Sequence, residues 1–244
     1  MISVSRCMDY LECSYKDKFS SREPRLSVHH AKVVALATAA KFYLMRAADS
    51  KTTTLDCLKR KMSTAWDRVK TTNQFSYTWK DLVSVQNQLD KVGQLVTPKD
   101  TVVAVNFPVL FSPFLKETVE GSVDAIILKN EDSPSKRYLQ VLLFDYSAFA
   151  GRSASSSLLK FLAGLYDLSL RDASISRFPR RYSFLKLHNS SVHTVTVQPY
   201  KDDKIYSVLS TILKGMNEEV RLPTTDERVC KDCLHNSLCD WIQE

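Results

Sequence analysis

Cys230-Lys-Asp-Cys233 is followed, after five residues, by Cys239. Two thiolates three positions apart can grip one metal centre in a single tight turn, and a third arrives from the next turn. Cysteines paired in disulfides need no such spacing. The cluster reads as a metal site short of one ligand. His235, between Cys233 and Cys239, would complete a local three-cysteine, one-histidine zinc site. Cys13, at the other end of the chain, is the second candidate. Cys7 and Cys57 are expected to be buried, inert thiols.

Hydrophobic periodicity predicts the elements that would position these residues. After the polar break Ser20-Ser21-Arg-Glu-Pro24, apolar Val33, Ala37, Ala40 and Leu44 predict a helix over about 26–48, near whose start lie His29 and His30. Amphipathic helices are predicted over about 54–69 and 78–96, the first carrying Lys59-Arg60-Lys61. Trp66, Phe75, Tyr77 and Trp79 are interleaved with these charges; aromatics beside lysines can stack bases while the lysines hold phosphate, but more often such aromatics are core.

From Thr101 the texture changes. Strands are predicted over about 101–107, 120–128 and 137–146, with Pro108 and Pro113 punctuating the chain after the first. A helix over 155–170, strands over 182–188 and 192–197, and a last helix over 202–217 complete the order. The expected class is α/β, one domain with a central mixed sheet flanked by helices, residues 101–200 forming the sheet core and 50–100 a helical insertion. Asp124 and Asp145 close apolar strands. Such carboxylates face a desolvation cost unless they are paired, metal-bound or turned toward solvent.

With 44% hydrophobic content, 244 residues are enough for one large core. No apolar run reaches membrane-spanning length, and Met-Ile-Ser-Val-Ser-Arg lacks a signal peptide's apolar block. Clustered thiols favour metal in a reducing compartment, so the expected location is intracellular, in cytoplasm, nucleoid or an organelle. The net charge is +7, and residues 1–100 carry all of the excess, with 17 Lys and Arg against 10 Asp and Glu. A one-sided surplus suits phosphate, although many proteins with this charge never meet nucleic acid.

Ser3-Val-Ser5, Tyr10, Cys13, Lys16 and Phe19, taken with the terminal Cys-x2-Cys-x5-Cys, resemble the iron–sulfur branch of the PD-(D/E)XK nuclease superfamily. That branch includes CRISPR-associated spacer-processing exonucleases and the AddB nuclease domain. The resemblance implies a nuclease-like core and a four-iron, four-sulfur cluster on Cys13, Cys230, Cys233 and Cys239, with zinc as the alternative. It also implies a magnesium or manganese ion held by two acidic groups, polarising phosphate and activating water, with a lysine beside them. Gly121-Ser-Val-Asp124 matches the family's Gly-x-x-Asp, and Asp145 the acidic position of Asp/Glu-x-Lys. His29 or His30 matches a histidine that opens the first helix.

Three positions depart from the pattern. Ser147 stands where the family has lysine, and a hydroxyl carries no charge to offset that developing on phosphate. Asn106 occupies a place often held by glutamate, and the stretch Ser156 to Tyr166 lacks the glutamine of a Gln-x-x-x-Tyr element. Lys160 could replace the lysine from the neighbouring helix, and Glu117 or Glu120 the acid. The leading expectation is a nuclease-fold, iron–sulfur DNA-binding protein with a degraded catalytic motif. It would act as an architectural or partner-recruiting factor in DNA replication, recombination or repair. Its DNA would be single-stranded or carry a free end, its protein partner would belong to the replication or recombination machinery, and no membrane would be involved. The rivals are an active DNA exonuclease using Asp124, Asp145, Lys160 and His29 or His30, and a zinc-bound protein-interaction module.

Overall fold

Apolar strand segments from Thr101 onward, joined by Ile2–Ser3, build one mixed sheet, and helices cover its two faces. The computed structural model describes residues 1–13, 28–73, 78–114, 117–130, 137–145, 156–171, 177–188 and 191–220. In chain order the elements are β1 (Ile2–Ser3), α1 (Val4–Glu12), α2 (Val28–Ala48), α3 (Leu55–Asn73), α4 (Trp79–Gln86), α5 (Leu89–Val92), β2 (Thr101–Phe114), β3 (Glu117–Asn130) and β4 (Arg137–Asp145). Then follow α6 (Ser156–Leu170), β5 (Arg180–His188), β6 (Ser191–Val197) and α7 (Asp202–Asn217).

Strands β2, β3 and β4 run antiparallel as neighbours, and β6 lies antiparallel to β5. β5 joins β4 in parallel, which requires a crossover, and α6 lies in that connection. β4 pairs with β3 over Ala125–Asn130, while β1 pairs in parallel with the stretch further back, Ser3 opposite Glu120. This is the expected α/β class, a mixed central sheet flanked by helices. Among the described residues no helix is long and apolar enough to cross a membrane.

One face of the sheet packs Ile127, Leu142 and Phe144 against α2, α3 and α5, and the other packs Ile126, Leu143 and Phe184 against α1, α6 and α7. Layers on both faces bury both side-chain sets of the central strands, and so those strands read as continuous apolar runs. Helices α6 and α7 and strand β5 are tied together at their ends. Asp167 of α6 accepts from Tyr182 Oη at 2.7 Å and Arg180 Nε at 3.0 Å, while Arg171 bridges Asp167 to Asp202 of α7.

Several predicted boundaries shift for physical reasons. The predicted helix over 78–96 is α4 and α5, with the ladder loosened at Asn87 and Gln88, while Val85, Leu89 and Val92 keep their helical spacing and stay fully buried. β2 continues past Pro108 and Pro113 because, among the described residues, it pairs only with β3, and an edge strand tolerates a missing N–H. α2 buries Ala31, Ala35, Leu36 and Ala39 besides its predicted stripe, since it lies between the sheet and α3 and small alanines admit both. Residues 4–12, for which the sequence suggested no element, form α1, with Ser3 as N-cap accepting from the Arg6 N–H at 3.2 Å. Trp66 is core. Phe75, Tyr77 and the Trp79 side chain lie outside the described set.

Candidate acidic site and its lysine partner

Asp124 ends the motif Gly121-Ser-Val-Asp in the middle of β3, and Asp145 is the last residue of β4. Both are buried, at 7% and 5% exposure. Asp124 Oδ2 accepts the backbone N–H of Phe144 at 2.7 Å, so its carboxylate lies against the peptide next to Asp145. The structure thus brings the two acids to one end of the β3–β4 pair. Oδ1 lies 2.8 Å from Lys41 Nζ, and that ammonium also sits 5.6 Å from the centre of the Phe144 ring. A cation from α2 and a backbone donor together replace the water this carboxylate loses.

Gly121 has a packing reason. A Cβ there would come within 2.8 Å of Val4 Cγ2 and 3.2 Å of the Tyr166 hydroxyl, so α1 and α6 both close on this point of β3. Burial, and then the nearby Asp124 charge, push the Tyr166 hydroxyl well above its ordinary range, while a hydrogen bond with the Ser122 backbone works the other way. The Tyr166 phenol thus lies within electrostatic reach of Asp124.

The remaining candidates divide. Lys160 lies on α6, its carbonyl accepting from the Tyr200 N–H at 3.1 Å; the ammonium seated on Asp124 is that of Lys41. Glu117 accepts from Asn217 of α7, roughly 23 Å along β3 from Asp124, and this removes it as a substitute acid. Glu120 is exposed, roughly 13 Å away along the strand. Asn106 falls in register opposite Asp124, between the pairs Val105–Ala125 and Phe107–Val123, but is exposed with φ 52. His29 and His30 fall in the first turn of α2, about 16 Å along the helix axis from Lys41, and their side chains lie outside the described set. Ser147 also lies outside it.

Two lysines escaped the sequence reading. Lys41 follows the alanine-rich helical pattern and carries no local mark of its role. Lys186 lies beside Asp145 in the parallel β4–β5 register, a neighbour only the pairing creates. Among the described residues no three His, Cys, Asp or Glu side chains group as a metal centre. With both Asp124 oxygens engaged by the chain's own donors, a magnesium or manganese ion would have to share or displace them.

Cys13 caps the end of α1, partly exposed, while Cys7 is buried as expected. Cys57 is partly exposed on α3 instead of buried, because α3 is an outer helix. Cys230, Cys233, Cys239 and His235 lie outside the described residues. The described chain nevertheless ends beside Cys13's helix. Tyr10 Oη donates to the Val220 carbonyl at 3.1 Å, and a Cβ on Gly215 would collide with the Tyr10 ring. Ten further residues can span about 35 Å, ample to return Cys230 to Cys13. A four-cysteine centre is therefore compatible with the chain path.

A cleft of about 480 Å³ opens on the α5 side of the sheet, lined by Lys91, Lys129, Tyr138, Gln140, His193 and Thr194 among others. None of its described lining residues is acidic. Lys129 is held by Asp100 at 2.7 Å, and Arg181 stacks 3.8 Å above the Tyr138 ring at the cleft's edge.

No protein-family model matches the chain, and no curated protein does. A solved structure, "Crystal structure of SSO0001", aligns with 97% of this chain and 93% of its own, at 11% identity and a TM-score of 0.37. A likeness at that level assigns neither family nor function.

Proposed function

We propose that this chain is a nuclease-fold DNA-binding protein of the iron–sulfur PD-(D/E)XK branch whose acidic centre no longer cleaves DNA. It serves as an architectural or partner-recruiting factor in DNA replication, recombination or repair, within a reducing intracellular compartment. The observation that carries this reading is the engagement of both Asp124 oxygens by the chain's own donors, Lys41 Nζ and the Phe144 N–H. The order of α2, three antiparallel strands, α6 and a parallel strand supports a nuclease-like core. The cleft, whose described lining residues include no acid, supports contact with a DNA strand, with Lys91 and His193 facing phosphate and the Arg181–Tyr138 stack facing bases.

Cys13, Cys230, Cys233 and Cys239 would hold the cluster. Its contribution is a staple that closes nearly the whole chain, limiting the freedom of the unfolded state. Anaerobically purified protein should be brown; colourless protein containing zinc would favour the interaction module instead.

One observation favours the rival, an active exonuclease. Lys41 brings an ammonium to the acidic centre from α2, and a catalytic lysine could arrive by the same route. End-labelled single- and double-stranded DNA with magnesium or manganese separates the two readings. The proposal expects a mobility shift without cleavage. Cleavage that vanishes in Asp145→Ala would establish the enzyme.

A further inference from the structure

The geometry points to Lys41 as a resident cation that holds Asp124 in place of a divalent metal. This rests on the reading of Asp124 and Asp145 as a former metal centre, and it is independent of whether the chain binds DNA.

Lys41 reaches the carboxylate from the middle of α2, where Ala37, Ala40 and Leu44 bury the helix around it. Its side chain is 31% exposed and that of Asp124 only 9%, so the carboxylate is buried while the ammonium keeps contact with solvent. The ammonium meets two groups that attract cations, the Asp124 carboxylate and the face of Phe144. The second oxygen is held by a backbone N–H fixed in the sheet. The charge a metal would neutralise is thus already neutralised, by a cation tethered to the chain and therefore always present.

The sequence agrees with this: Ser147 stands where the nucleases that this chain resembles carry lysine, and Asn106, in register opposite Asp124, is no carboxylate. Magnesium holds its waters tightly and demands several oxygen ligands in octahedral order. Here it would have to evict an ammonium from a largely buried oxygen and then bind with few protein ligands. The centre keeps its positive charge and gives up exchange with solvent ions.

Removing Lys41 should therefore uncover a divalent-ion site that depends on Asp124. The test is titration of manganese, followed by the paramagnetic signal of the free ion, against the full-length protein, Lys41→Met and the double variant Lys41→Met/Asp124→Asn. Wild type should show no stoichiometric site. Lys41→Met should gain one, at least tenfold tighter than any binding by wild type, and manganese should raise its melting temperature. The double variant should lose both effects. Should Lys41→Met fail to fold, Lys41→Gln replaces it, since the shorter amide leaves Oδ1 open without stripping the helix of polarity. Equal manganese binding by wild type and a folded Lys41 variant would overturn the inference. So would a folded variant that gains no site, or DNA cleavage by wild type that Lys41→Met abolishes. A mobility shift run on the same proteins reports DNA binding separately, so a failure of that reading leaves the manganese result standing.

Discussion

The Tyr10 hydroxyl donates to the Val220 carbonyl across 210 positions of sequence, at 3.1 Å, and so joins α1 to the turn that ends α7. Three residues beyond Tyr10 lies Cys13. The approach of these two helices is close enough that Gly215 can carry no side chain without displacing the Tyr10 ring.

If the terminal cysteines complete a centre with Cys13, this junction is where its loss is felt. Cys233→Ala should make the residues after α7 the first site of proteolytic cleavage and lower the melting temperature, by about 2–4 kcal/mol of stability for a long closure. Unchanged proteolysis and melting would contradict the staple. Tyr10→Phe should cost only about 1 kcal/mol, the price of one hydrogen bond, and so serves as the comparison.

The ends of α2 and α7 share a device. Lys51 N–H returns to the Arg46 carbonyl and Ser50 N–H to Ala47, while Val220 N–H returns to Gly215 and Glu219 N–H to Met216. Each is a Schellman motif, with Ser50 at φ 55 and Glu219 at φ 54 where glycine is usual. Ser50→Gly and Glu219→Gly should each stabilise the protein by about 0.5–1 kcal/mol, additively because the sites are far apart. Denaturant midpoints measure this, and a loss of stability at both sites would refute the assignment of strain.

Asp81 connects the outer helices to the core. It accepts from the N–H and hydroxyl of Thr78 as the capping box of α4 and pairs with Lys32 of α2 at 2.7 Å. The Lys32 contact first, and then the Thr78 bonds, lower its pKa to about 2. A carboxyl whose folded pKa lies below its unfolded value of about 3.9 stabilises the fold above that value and ceases to do so as pH falls toward 2. Stability should therefore drop by about 1 kcal/mol more in wild type than in Asp81→Asn between pH 4 and 2, the value being modest because the pair is partly screened by water. Parallel melting curves over that range decide it.

The cleft beside α5 makes a separate claim on DNA. Lys91→Glu with Arg181→Glu should weaken binding of a single-stranded oligonucleotide at least tenfold and flatten its salt dependence by about one phosphate contact per charge removed. Lys59→Glu with Arg60→Glu, on α3, tests the basic run suggested by sequence; if this pair weakens binding while the cleft pair does not, the strand lies on α3.

Local pattern was enough for the class of fold. The apolar runs at 101–107 and 120–128, the described part of that at 137–146 and the helical stripe ending at Leu44 lie inside observed elements, because burial on one or two faces leaves a period that short windows detect. Misplaced boundaries came where tertiary position overrode local signals, as at Pro108, harmless only because β2 is an edge.

The acidic pair could be found in the same way, since Gly121-Ser-Val-Asp124 and the end of the run at Asp145 are written in consecutive residues. Its partner could not. Lys41 stands 83 positions before Asp124 on an alanine-rich helix, and Lys160, nearer in sequence, belongs to a helix on the other face of the sheet. Which lysine meets the carboxylate depends on which helix lies over which strand. Residue types and spacing therefore singled out the carboxylates and the cysteine motif, whereas the cation that neutralises Asp124 was chosen by the packing of α2 across the sheet, because an ion pair forms with whatever charge lies within a few ångströms and sequence distance has no part in that.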